Sequence, residues 1–373
     1  MTAYTKRLQK VTAVLCTTAL LAGCAAGTSD NTEPAATTAQ VKTITIEPTA
    51  AYQTMNGFGA SACWWSQEVG NWENAKNILS LLYDENSGIG LNIYRYNLGA
   101  GSKDDATITD LDRRAEAFID KDGSYHWERD AAAQNALALA KSMNKDLRVT
   151  LFSNSAPVFY TVNGKAYCDY LPDDENYVTN LEPERYADFA KYSIACAKHF
   201  TEAGYRVTGL SPINEPEWSW RGYEDGTAKQ EGCYYSKTQC RDLYKVFLKQ
   251  MAQEDALKDC RLEGWESGHI GTDTCMAYLQ TMFGKSGVNG LKNNALRKGM
   301  PTLALHSYWA SPEEKQAFAN AIATTYGSNY KLALTEYCQM TEDQNSGVYD
   351  LIQKNGMDLS LIHISEPTRR SYI

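Results

Sequence analysis

Two glutamates stand where apolar runs end: Glu215 closes YRVTGLSPINE and Glu336 closes YKLALTE. A proline cannot donate to a sheet ladder, so Pro216 ends the strand predicted before it and leaves Glu215 at the tip. If both runs belong to one parallel sheet, the two carboxyl groups come from strands four and seven and meet across one mouth. Glycoside hydrolysis needs such a pair: one group protonates the leaving oxygen, and the other is a base or nucleophile on the far side of the sugar. Any one of the 45 acidic residues is more often a solvated surface group than a catalyst. The pairing at strand ends three units apart is what carries the expectation.

The elements that must position this pair can be read from periodicity. Seven short apolar runs recur in order: MNGFGASA, LNIYRYNLG, LRVTLFSNS, YRVTGLSPINE, CRLEGWESG, PTLALHSYW and YKLALTEY. Between them lie amphipathic stretches, WENAKNILSLLY, RDAAAQNALALAKSM, PERYADFAKYSIACAKHF, SKTQCRDLYKVFLKQMA, TCMAYLQTMFG and PEEKQAFANAIATTY, with a further helix expected within SGVYDLIQKNG. Repeated strand-helix units imply a parallel sheet covered by helices, hence an α/β fold. An open doubly wound sheet would announce a GxGxxG phosphate loop after its first strand, and GFGAS lacks that spacing. In a closed (β/α)8 TIM barrel, unusual polar residues cluster at the C-terminal strand ends. Here Trp64, Trp65, Arg95, Asn97, Ser153, Asn154, Asn214, Glu215, Glu266, His306, Tyr308 and Glu336 all fall there. The barrel is the predicted architecture, spanning residues 53–358.

Composition narrows the ligand. A net charge of −9 argues against nucleic acid, whose phosphates need clustered Lys and Arg. The 24 tyrosines and 8 tryptophans suit carbohydrate, because flat rings stack on the C–H faces of sugars. The histidines show no HExxH helix and the cysteines no zinc spacing, so no metal and no cofactor is expected.

The chain begins with Lys6, Arg7 and Lys10, then VTAVLCTTALLA, then Leu21-Ala22-Gly23-Cys24. This is similar to a bacterial lipoprotein signal, and predicts cleavage after Gly23 and a lipid on Cys24. Residues 24–41 are small and polar, a tether between lipid and domain. The expected location is therefore outside the cytoplasm, lipid-anchored at the cell surface or outer membrane, with a secreted form as the alternative. Eight cysteines remain beyond the anchor: Cys63, Cys168, Cys196, Cys233, Cys240, Cys260, Cys275 and Cys338. Export permits disulfides, but the spacing does not reveal which thiols pair.

Taken together, NGFGAS, SNSAP, NLEPERYADFAKY, SPINEPEWSW, KQEGC, HSYW and LTEYC resemble glycoside hydrolase family 30, in the family's order, from about Ile44 to Asp358. NEPEWSW followed by KQEGC is most similar to its endo-β-1,6-galactanase group. That resemblance implies a retaining mechanism on a β-linked polysaccharide, with Glu215 as acid/base and Glu336 as nucleophile. A β-1,6-glucanase or (glucurono)xylanase is the alternative within the family, and a non-catalytic glycan-binding lipoprotein the alternative outside it. The resemblance further implies that Asn214 meets the sugar 2-hydroxyl, that Arg95 and Tyr308 hold Glu336, and that His306 and Asn154 line the substrate site. Trp64, Trp65, Trp218, Trp220 and Trp309 become candidate sugar platforms, with one or two of them expected to pack in the core instead. A monomer is expected.

The family also carries a β-sandwich built from both ends of the chain, to which residues 42–52 (KTITIEP onward) could supply a first strand. The string LSLIHISEPTR, Leu359 to Arg369, is similar instead to a translated sequencing-library adapter. Residues 359–373 are accordingly expected to be a non-native tail replacing the eighth strand. A barrel lacking that strand would expose sheet edges and be less soluble and less active than a full-length product.

Overall fold

A computed structural model describes residues 54–172, 176–284, 295–326 and 330–337. The leader, the Cys24 anchor, the tether, the strand at 42–52, the SGVYDLIQKNG helix, the eighth-strand position and the tail all lie outside the described residues. No helix among the described residues is long and apolar enough to cross a membrane.

Seven strands form one sheet in sequence order: β1 (Gly59–Ser61), β2 (Ile93–Asn97), β3 (Arg148–Phe152), β4 (Arg206–Ser211), β5 (Arg261–Ser267), β6 (Thr302–His306) and β7 (Lys331–Glu336). Every neighbouring pair is parallel. Helices fill the crossovers: α1 (Ser66–Val69), α2 (Ala75–Tyr83), α3 (Ala131–Met143), α4 (Tyr186–Glu202), α5 (Lys237–Met251), α6 (Asp273–Phe283), α7 (Ala295–Gly299) and α8 (Pro312–Tyr326). Each of the seven apolar runs contains its strand.

The sheet curls into a nearly closed α/β barrel of the TIM type. In a flat sheet, five steps of about 4.8 Å would hold β2 and β7 roughly 24 Å apart. Instead Arg95 Nη1 of β2 sits 2.7 Å from Glu336 Oε1 of β7. Inside the barrel, Ser61, Arg95, Thr150 and Gly209 lie in register on four successive strands. Gly209 leaves room there for the Glu263 carboxyl group from β5, which a Cβ would overlap.

Alternation along β2 shows how one strand serves both layers. Arg95 and Asn97 bond to polar partners from other strand ends, whereas Tyr94 and Tyr96 join the apolar core beneath the helices. Helix α4 meets that core with a stripe of Phe189, Ala190, Ala197 and Phe200, at the three-to-four spacing of a buried helix face. Phe200 packs 5.0 Å from the Tyr96 ring; truncating such a side chain to Ala costs about 3–5 kcal/mol. Helix α5 is started by a capping box in which Ser236 and Gln239 satisfy each other's backbone donors.

Candidate active site

The C-terminal strand ends converge on a cluster of carboxylates and cations. Glu215 follows β4 with a left-handed φ of 45°, and its N–H donates to Glu266 O at 2.8 Å. This ties the tip of β4 to that of β5. His306, at the end of β6, places Nδ1 2.8 Å from Glu215 Oε1 and 3.5 Å from Glu336 Oε2. The Glu336 oxygens are both held: Arg95 Nη1 donates to Oε1 and the Tyr308 hydroxyl donates to Oε2, each at 2.7 Å. One carboxyl oxygen each of Glu215 and Glu336 and one ring nitrogen of His306 all lie within 4.8 Å of one another. Arg95 Nη2 also donates to Asn214 Oδ1 at 3.1 Å, which leaves the Asn214 amide NH2 to donate to a ligand.

Beneath these groups lies Glu266, which was visible in the sequence only as one more polar residue at a strand end. It is fully buried, with Oε1 3.5 Å from Arg95 Nη2 and Oε2 3.3 Å from His306 Nε2, and it accepts from Thr335 Oγ1. The β5–β6 register pairs Trp265 with Ala304 and Ser267 with Leu305, so Glu266 is the extra residue of a bulge, with a left-handed φ of 59°. Bulges re-aim side chains beside active sites, and period-two reading of CRLEGWESG does not reveal one.

Electrostatics divide the three glutamates. Burial pushes the Glu215 pKa up, with Glu336 adding to the rise, and this prevails over the opposing pull of His306. Burial works the same way on Glu266, but Arg95 and His306 outweigh it and the pKa falls below the usual carboxylate range. Burial opposes charge on His306 too, yet Glu336, Glu215 and Glu266 raise its pKa to about 10. At neutral pH the cluster is balanced when Glu215 carries a proton: two cations, Arg95 and His306, face two carboxylates, Glu266 and Glu336. Glu336, with both oxygens accepting, has the bonding pattern of the ionised member.

A sequence model of O-glycosyl hydrolase family 30 matches residues 41–350. The chain belongs to that family. The endo-β-1,6-galactanase of Hypocrea rufa is 30% identical over 219 residues, 52% of this chain and 43% of that protein. The exo-β-1,6-galactobiohydrolase of Bifidobacterium longum subsp. longum is 27% identical over 241 residues, 48% of this chain and 15% of that protein. The chain thus spans less than half the length of either curated relative. Among solved structures, a conserved exported protein from Bacteroides fragilis superposes with a TM-score of 0.67 at 25% identity, over 80% of this chain and 63% of that one.

The other expected site residues separate into rim and interior. Trp218 and Trp309 are 43% and 44% exposed, with ring centroids 6.3 Å apart, and form an aromatic rim beside Glu215. Gly268 is part of this wall: a Cβ there would overlap the Trp218 indole nitrogen and approach Glu215 Oε1. Asn154 donates to Asn97 Oδ1 at 3.1 Å at the tips of β2 and β3. Trp65 is a correction: it is buried in the core, donates from Nε1 to Ser61 O at 2.7 Å and packs beside Tyr94, so it offers a sugar no face. Trp64 is also buried, with the Arg113 guanidinium 5.8 Å from its ring. Trp220 is half-buried and donates from Nε1 to Glu215 O at 2.8 Å, bracing the loop rather than forming a platform. Residue type announced these rings, but not which way each one turns.

Proposed function

We propose that the chain is a retaining glycoside hydrolase acting on β-1,6-linked galactan. The observation that carries this reading is the Glu215–Glu336 pair, with one carboxyl oxygen of each within 4.8 Å of the other, one group favoured as the acid and the other held by Arg95 and Tyr308. Separations of about 5–5.5 Å suit a nucleophile, whereas inverting pairs stand about 6.5–9.5 Å apart to admit a water.

In this mechanism Glu215 gives its proton to the glycosidic oxygen while a Glu336 oxygen attacks the anomeric carbon. The C–O bond to the leaving sugar breaks and a glycosyl ester forms on Glu336. Glu215, now ionised, takes a proton from water, whose oxygen attacks the same carbon and releases Glu336. His306 donates to Glu215 Oε1 and so keeps Oε2 for the proton in transit. Asn214 donates to the 2-hydroxyl, and the Trp218–Trp309 rim stacks neighbouring sugars.

The galactan assignment is supported by the β-1,6-galactan activities named for the two curated relatives. Export with a lipid on Cys24 is part of the proposal, supported by the leader sequence and by the exported Bacteroides protein of similar structure. The test is digestion of β-1,6-galactan, β-1,6-glucan and glucuronoxylan followed by anomeric-proton NMR. Prompt release of the β-anomer from galactan is expected. First release of the α-anomer sinks the double displacement, cleavage of glucan or xylan alone moves the substrate, and binding without cleavage leaves a glycan-binding protein.

A further inference from the structure

Residues 231–235 tie several loops of the mouth together. Glu231 accepts from Ala100 N and Ser102 Oγ beyond β2, Gly232 N donates to Ala166 O at 2.8 Å, and Tyr235 N donates to Pro216 O at 3.0 Å. Between these anchors lies Cys233, buried beside Cys168. The two sulfurs share one neighbour: Tyr234 N donates to Cys168 Sγ at 3.4 Å, and Cys233 Sγ donates to Tyr234 O at 3.6 Å. The two thiols are close enough that each shifts the other's pKa. Their placement does not depend on those weak bonds, because Cys168 is fixed by its own backbone: its N donates to Trp220 O at 2.9 Å and its O accepts from Gly222 N at 2.8 Å. Among the other described cysteines, Cys63 lies against Asn154 and Cys240 against Met282.

We propose that Cys168 and Cys233, thiols in this structure, are joined by a disulfide in the exported protein, stapling the β3–α4 loop to the β4–α5 loop. The inference rests on the export reading for its oxidising environment and is independent of which glycan is cut. The oxidant is a disulfide, either a small molecule such as oxidised glutathione or a thiol–disulfide oxidoreductase. While the loops are unpacked either thiol can ionise first, and both orders give the same bond; in one order Cys233 is the first thiolate. It attacks one sulfur of the oxidant, forming a mixed disulfide and expelling one oxidant thiolate. Cys168 then loses its proton and attacks the Cys233 sulfur, and the second oxidant thiolate leaves. Two protein thiols have lost two electrons and two protons, and the oxidant has become two thiols. Because both cysteines are buried once the loops pack, the exchange occurs during folding.

The staple bears on the active site through Trp220, whose carbonyl accepts from Cys168 N and whose indole donates to Glu215 O. The cysteines are 65 positions apart, and cross-links closing loops of that length remove substantial freedom from the unfolded chain.

The test is to refold the reduced, denatured full chain in a glutathione redox buffer, alkylate remaining thiols, and map peptides without reduction. Supplying the oxidant makes the result independent of export, so failure here counts against the pairing alone. We expect one linked peptide pair, through Cys168 and Cys233, absent from Cys168→Ser and Cys233→Ser. The oxidised protein should melt about 5 °C or more above the same protein refolded with dithiothreitol. Recovery of both residues as alkylated thiols, or of either joined to a different cysteine, overturns the proposal; this map needs only the unmutated chain.

Discussion

Glu266 and Glu231 are both buried completely, yet their environments drive them in opposite directions. At the strand-end mouth, Glu266 faces two cations, Arg95 and His306, and its pKa is lowered despite burial. In the loop clamp, burial dominates for Glu231; hydrogen bonds from Ser102 and Ala100 pull the other way, and its pKa still rises to about 8. Three neutral donor contacts, from Ala100 N to both oxygens and from Ser102 Oγ to one, do not replace the hydration a carboxylate loses, whereas full opposite charges do. The mouth is thus built to hold charge at fixed places, and the clamp to hold a proton.

The largest effect that tests this division is at the mouth. Glu336→Gln keeps the size and most of the bonding of the side chain but removes the proposed nucleophile, so cleavage should fall by at least about 10⁴-fold. The protein should still fold, because Arg95 retains Glu266 as a partner. Activity within tenfold of the unmutated chain would remove Glu336 from the reaction. Next is Glu266→Gln, which leaves the reacting groups intact but takes a negative charge from beside His306. We expect kcat/KM to fall about 10²-fold. Glu266 helps raise the His306 pKa to about 10, so losing it lowers that pKa, and the alkaline limb of the pH–rate profile should move to lower pH. A simple loss of activity with an unshifted profile would mean that Glu266 only supports the packing.

The clamp predicts a stability effect of opposite origin. A free glutamate titrates near 4.5 and folded Glu231 near 8, so between those values the folded state binds the extra proton. Stability is therefore greater at the acidic end of that window and falls as pH rises through it. Asp130 and Glu263, each raised by burial to about 7, push in the same direction, as does His306 between about 6.5 and 10. Glu231→Gln, shaped like the protonated acid, should flatten part of the decline in thermal midpoint between pH 5 and 8. An unchanged slope would place the clamp's proton elsewhere.

Much of this arrangement was legible in the sequence, and the gap has a physical cause. Strands of a barrel are covered on both sides, so they read as near-continuous apolar runs, and PEEKQAFANAIATTY matches α8 end to end. Glu215, Glu336, Arg95, His306 and Tyr308 could be nominated together because strand ends in a curled sheet must converge. Glu266 could not be distinguished from other strand-end residues, since its inward aim comes from a bulge and a left-handed backbone. Trp65 misled because ring size signals burial and ligand stacking equally well. The short helix α1 gives too few residues for periodicity to register. The Glu231 clamp spans 131 positions, and nothing local marks KQEGC as the partner of NLGAGS.

The smallest effect isolates a single neutral donor. Ser102 Oγ donates to Glu231 Oε1 at 2.6 Å and accepts from Ala115 N at 3.1 Å, so Ser102→Ala removes one bond to the carboxyl group and strands one backbone donor. The stranded N–H costs about 1–2 kcal/mol at any pH. The lost bond to Glu231 behaves differently, because a hydroxyl stabilises an ionised acceptor more than a neutral one. Destabilisation should therefore be greater above pH 8 than at pH 5, and the Glu231 pKa should rise further. Urea unfolding at the two pH values separates the contributions. Equal losses at both would show that the hydroxyl serves only Ala115, leaving the Ala100 N–H as the donor that restrains the proton affinity of Glu231.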